Sequence, residues 1–156
     1  MSDAAVALLQ APARGIEDKV RKVSLGTSAL RQLLARVDRY QYRDLIGLTL
    51  NNLANALREL PARDGEERAQ NVREAVGYYK DALTVRTKDR YPHLYAQTIA
   101  NLGMCLLSSK ETSVARSYLE EALALREFLP DLGAGIEQML KEGTSPPEEK
   151  TPEKHR

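Results

Sequence analysis

The stretch Tyr42-Arg-Asp-Leu-Ile-Gly-Leu-Thr-Leu-Asn-Asn-Leu-Ala-Asn-Ala-Leu57 returns 49 residues on as Tyr91-Pro-His-Leu-Tyr-Ala-Gln-Thr-Ile-Ala-Asn-Leu-Gly-Met-Cys-Leu106. Tyr42/Tyr91, Leu45/Leu94, Thr49/Thr98, Asn52/Asn101, Leu53/Leu102 and Leu57/Leu106 coincide. A second match, at an offset of 40, pairs Ala75-Val-Gly-Tyr-Tyr-Lys-Asp-Ala-Leu-Thr-Val-Arg86 with Ala115-Arg-Ser-Tyr-Leu-Glu-Glu-Ala-Leu-Ala-Leu-Arg126. The difference between the two offsets falls in a loop around Pro61-Ala-Arg-Asp-Gly65. Self-similarity of this kind marks a repeat architecture, in which one supersecondary unit buries its apolar face against the next.

Within each block the apolar residues recur at three and four: Leu45, Leu48/Thr49, Leu53 and Ala56/Leu57, then Ala75, Tyr79 and Ala82/Leu83. That is the period of an amphipathic helix. Each repeat therefore reads as two helices, with full repeats at about 42–90 and 91–129. Pro61 and Gly65 end the first helix, and Pro92 sits where the first turn of a helix tolerates proline. Small residues at Ala54, Gly103, Ala75, Ala82, Ala115 and Ala122 let facing helices approach closely. The fold class this predicts is all-α: antiparallel helical hairpins stacked as a short α-solenoid. Helices are expected near 17–38, 42–60, 67–90, 92–108, 112–128 and 131–141. The expected core is Leu53, Leu57, Ala75, Tyr79, Ala82, Leu83, Leu102, Cys105, Leu106, Leu119, Ala122 and Leu123.

Leu30, Leu33, Leu34 and Val37 share one helix face, and Leu30 to Val37 overlay Tyr79 to Arg86, so an orphan second helix precedes the first full repeat. Pro130 to Leu140 can form a short helix with Leu132, Ile136, Met139 and Leu140 apolar, a cap for the open end of the stack. The helical domain then spans 16–142. Residues 1–15 are expected to be flexible. Residues 143–156 hold three prolines and no large apolar side chain, too little to offset the entropy of ordering, and are expected to be disordered.

A chain of 156 residues with 42% hydrophobic content fits one domain. The lone Cys105 rules out an intramolecular disulfide, the opening lacks the pattern of a secretory signal, and no apolar run reaches the roughly 20 residues of a membrane span. A reducing, cytoplasmic location without a transmembrane segment is the expectation. Arg14 to Arg43 carries eight Lys/Arg against Glu17, Asp18 and Asp38, whereas Asp44 to Glu142 has 12 basic and 15 acidic residues. The repeat body thus argues against nucleic acid as a partner, and contact with phosphate or an anionic surface is confined to the basic N-terminal helix.

Catalytic chemistry finds no constellation. The histidines, His93 in a helix-opening turn and His155 in the tail, stand apart from a nucleophile, and Cys105 falls on a core stripe. One cysteine and two scattered histidines make no zinc spacing, Gly133-Ala-Gly135 follows no strand, and Glu120 and Glu121, adjacent on a helix, diverge. No enzyme activity, metal or cofactor is expected.

The spacing resembles the tetratricopeptide repeat. For a repeat beginning at Ala96, Gly103, Ala115, Leu119 and Ala122 occupy that pattern's small, alanine and large apolar positions. For one beginning at Gly47, Ala54, Ala75, Tyr79 and Ala82 do so once the loop is removed. The phrase Thr49-Leu-Asn-Asn-Leu-Ala54 and the long helices look most like the lengthened variant of kinesin light chains and many bacterial repeat proteins. The family's Trp, Tyr and Pro positions are occupied here by Leu50 or Ile99, Leu57 or Leu106, and Thr87 or Glu127. The resemblance implies an adaptor or assembly subunit that binds a protein segment in a concave groove lined by the first helix of each repeat. By position that groove holds Leu48, Asn51, Asn52, Asn55, Arg58, Gln97, Asn101, Met104 and Ser108. Asparagine suits such a role because its amide both donates to and accepts from a peptide main chain. Self-association is the rival expectation, with the unpaired N-terminal helix completing another copy's stack into a homodimer.

Overall fold

The computed structural model describes residues 15–36, 38 and 41–142. The expected disordered tail and all but Gly15 of the expected flexible opening lie outside these residues. Among the described residues six α-helices follow one another: α1 Ile16–Arg36, α2 Arg43–Arg58, α3 Gly65–Leu83, α4 Pro92–Ser108, α5 Thr112–Ala124 and α6 Gly133–Lys141, with one 3-10 turn, Arg126–Phe128, after α5. No strand occurs among the described residues. None of these helices is long and apolar enough to cross a membrane.

Helix ends show why the sequence stops where it does. Asp64 caps α3, its carboxylate accepting from the Glu67 amide at 2.8 Å, while Glu67 Oε2 accepts from the Arg63 amide at 2.6 Å. At the end of α4, Glu111 N donates to Leu106 O and Lys110 N to Leu107 O, with Lys110 left-handed at φ 62°. These paired bonds close the last turn so tightly that α5 starts two residues later. The expected extension of α3 to residue 90 is corrected to Leu83. There the Thr84 hydroxyl bonds Asp81 O at 2.7 Å, and the Thr84 and Val85 amides tighten to three-residue spacing. Such local bonding competes with helix continuation. The expected helix 112–128 likewise breaks, at Ala124.

Contacts fix how the helices run. Arg68, at the start of α3, donates to Arg58 O at the end of α2, while Gly47, near the start of α2, faces Val85 and Arg86 beyond the end of α3. These two helices are antiparallel. Gly103 against Leu119 and Tyr95 against Glu121 make α4 and α5 antiparallel as well. The most extensive packing is α2 on α3 and α4 on α5, followed by α3 on α4, with α1 on α2 and α6 on α5 at the two ends.

Repeat-equivalent residues meet equivalent fates. Leu53 and Leu102, Leu57 and Leu106, Ala75 and Ala115, Tyr79 and Leu119, and Ala82 and Ala122 are all buried. Cys105 joins them, whereas Leu83 and Leu123, expected in the core, are half-buried. Two adjoining apolar clusters result, one around α1 to α4 and one around α4 to α6, where Ile136 of the last helix covers Leu119 and Ala122. Each large aliphatic side chain removed from water contributes about 1.5–3 kcal/mol.

Candidate functional site

The expected groove lies where α2 and α4 run side by side. Tyr91 Oη donates to Asp44 Oδ1 at 2.5 Å, and Thr98 Oγ1 stands 3.2 Å from Asn51 Oδ1, so equivalent turns of the two repeats are stitched together. Thr98 also reaches Leu94 O at 2.8 Å, as its counterpart Thr49 reaches Leu45 O at 2.8 Å. One hydroxyl proton serves one acceptor at a time, and the shorter, i−4 bond has the first claim.

Into this seam runs Arg86, only 2% exposed, whose Nη1 donates to Thr98 Oγ1 at 3.1 Å. Its Nε has no hydrogen-bond partner among the described residues. Burial lowers the guanidinium's pKa from its ordinary value because the charged form is desolvated. The side chain passes close to Gly47, where even a Cβ would come within 3.4 Å of Arg86 Cγ.

Of the nine residues expected to line the groove, Leu48, Gln97 and Ser108 are exposed, and Asn52, Asn55, Arg58 and Met104 are half-buried. Asn51 and Asn101 are buried instead, at 2% and 8% exposure. The physical reason is crowding: α2 has α1, α3 and α4 as neighbours, and α4 has α2, α3 and α5, so only a narrow strip of each helix stays open. Asn51 Oδ1 lies in the seam, 3.2 Å from Thr98 Oγ1. Asn55 accepts from Tyr79 Oη at 2.6 Å, and Asn52 Nδ2 is buried without a partner among the described residues. Burial raises the Tyr79 pKa, so this phenol stays a neutral donor.

At one end of the strip Arg58, Met104 and Ser108 line an open cavity of about 600 Å³ with Lys19, Glu59 and Arg68. Two of its cations are already engaged: Lys19 Nζ donates to Glu59 O and Arg68 Nη1 to Arg58 O, each at 2.8 Å. They satisfy the last carbonyls of α2 and complement its dipole. The Arg58 guanidinium pairs with Glu59 at 3.4 Å.

Sequence reasoning missed Lys19, Arg68 and Arg86. For Lys19 and Arg68 the signal is absent, because only the folded chain brings residues 19 and 68 to the end of α2. For Arg86 a trace existed, since Arg86 and Arg126 close the second repeat match at equivalent positions. Cys105 is buried and its thiol is pushed up to about 11 by desolvation, which leaves it protonated and unreactive at neutral pH. Comparisons with protein-family models, with curated proteins and with solved structures each find no match.

Proposed function

We propose that this chain is a protein-binding module of the tetratricopeptide type, a short solenoid that holds a segment of a partner protein along α2 and α4, as an adaptor or assembly subunit does. The observation that carries the reading is the side-by-side setting of α2 and α4 through Asp44–Tyr91 and Asn51–Thr98. What supports it beside that seam is a mixed set of exposed and half-buried side chains: Leu48 and Met104 apolar, Gln97 amide, Arg58 cationic, Ser108 hydroxyl. Amides orient a bound main chain, and methionine adapts its shape to varied apolar side chains. The buried Asn51 sits in this reading at the seam that sets α2 and α4 in register.

A photoreactive residue in place of Gln97 tests it. It should cross-link a discrete partner protein, whereas the same residue at Lys80, exposed on α3, should not. Equal capture at both positions would refute the strip.

A further inference from the structure

The open cavity of about 600 Å³ at the end of α2 draws cations from three helices. Lys19 comes from α1, Arg58 from α2 and Arg68 from α3, while Glu59 is the one carboxylate on the rim, which leaves a surplus of two positive charges. Glu59 neutralises them poorly. Its Oε1 lies 3.4 Å from Arg58 Nη2 and its Oε2 3.9 Å from Lys19 Nζ, against about 2.7–2.9 Å for a well-formed charge-assisted bond, and its side chain is 57% exposed. Among the described residues the Arg58 and Arg68 guanidinium groups each make one hydrogen bond, to Glu59 and to Arg58 O. Both forks therefore keep donors for a further acceptor. The remaining wall is Met104 and Ser108 of α4, side chains that also end the α2/α4 strip.

We propose that this cavity takes a carboxylate of the partner segment, so that the segment held along α2 and α4 carries an aspartate or glutamate where it passes the last turns of these helices. The proposal rests on the reading of α2 and α4 as the binding strip, and adds to it the charge and place of one partner side chain. A carboxylate is the group these cations already hold, in Glu59 itself. Glu59 is then an internal competitor for Arg58 that the incoming acid displaces. The place follows from the helix rise. Leu48 precedes Arg58 by ten residues in α2 and Gln97 precedes Ser108 by eleven in α4, in each case about 15 Å at about 1.5 Å per residue. An extended segment covers that length in about five residues, which is the separation between the acid and the part of the segment that meets Leu48 and Gln97. Because the cavity is open to water, the pairing contributes to partner choice and rate of encounter more than to raw affinity.

Photoreactive residues placed singly at Gln97 and at Ser108 of the full chain, with the captured segments sequenced by mass spectrometry, test the proposal. The segment captured at Ser108 should carry Asp or Glu beside the cross-link. Arg58→Gln should lower that capture about twofold to fivefold, and Glu59→Gln, which removes the competitor, should raise it by a similar factor, with circular dichroism level in both. A merely structural role for Glu59 predicts no gain. Going from about 0.1 M to about 1 M salt shortens the Debye length from about 10 Å to about 3 Å, and should cut capture at Ser108 more than at Gln97. Capture at Gln97 together with a Ser108 segment that lacks an acid, or that is indifferent to both charge variants, would overturn the carboxylate site and leave the strip standing. A phosphorylated side chain at the Ser108 cross-link, with capture abolished by phosphatase, would also overturn it. Capture at neither position would overturn the strip, and this site with it.

Discussion

Replacing Gly103 by alanine loads the tightest of the described glycine positions. A Cβ at residue 103 would stand 2.8 Å from both Cγ and Cδ2 of Leu119 and 3.3 Å from the carbonyl oxygen of Ala115. Carbon atoms rest at about 3.5–4.0 Å. Leu119 is fully buried and Ala115 offers backbone, so neither neighbour can swing aside into solvent. Overpacking of this kind costs about 1–3 kcal/mol. Against it stands the gain of about 1 kcal/mol when alanine replaces glycine inside a helix. The net expectation is a loss of up to about 2 kcal/mol. Gly77→Ala supplies the internal reference, because Gly77 is exposed in α3 with nothing within 4 Å of an added Cβ. It should show the full gain of about 1 kcal/mol. Thermal or urea unfolding of both variants should therefore separate them by about 1–3 kcal/mol, or at least about 3 °C in Tm for a domain of this size. If Gly103→Ala proves as stable as Gly77→Ala, the close approach of α4 and α5 is wrong.

Lys110→Gly should stabilise the fold by about 0.5–1 kcal/mol in urea unfolding, since Lys110 occupies the left-handed position at φ 62° that closes α4. Asp64→Ala should cost about 1 kcal/mol by removing the cap of α3, with Asp64→Asn recovering most of it. Cys105, whose thiol is raised from 9.0 to about 11 by burial, should resist thiol reagents in the native protein and react freely once unfolded. Because its folded pKa lies above the unfolded one, its contribution to stability is complete below pH about 9 and is lost as pH rises toward about 11. Cys105→Ala should flatten that alkaline decline in a stability-against-pH series.

The repeat was legible because it is written in residues whose roles do not depend on distant partners. Gly103 and Ala54, or Ala75 and Ala115, must be small wherever two helices meet, and Leu53 and Leu102 must be apolar on the same face. The period therefore exposed both hairpins and most of the core. Helix ends were harder. Thr84, Val85 and Arg86 continue the helical pattern of α3, yet a side-chain bond to Asp81 O ends it at Leu83 and frees Arg86 to turn into the seam. The candidate site was legible in outline only. A helical wheel assigns Asn51 to the same open face as Leu48, but which side of that face a neighbouring helix covers is decided by Thr98, 47 residues away in sequence. Lys19 and Arg68, which reach the end of α2 from α1 and α3, carry no local signature at all.

The proposed partner recognition along α2 and α4 is tested most directly by the affinity of the purified chain for a protein captured through Gln97. Gln97→Ala combined with Met104→Ala should weaken binding at least about tenfold, equivalent to about 1.4 kcal/mol. Glu66→Ala with Lys80→Ala, on the exposed side of α3, should leave the affinity unchanged, with the helical signal in circular dichroism level in both variants. Unaltered binding in the Gln97/Met104 variant, or a loss confined to Arg21→Ala with Arg36→Ala on the basic α1, would contradict the account and move recognition off the strip.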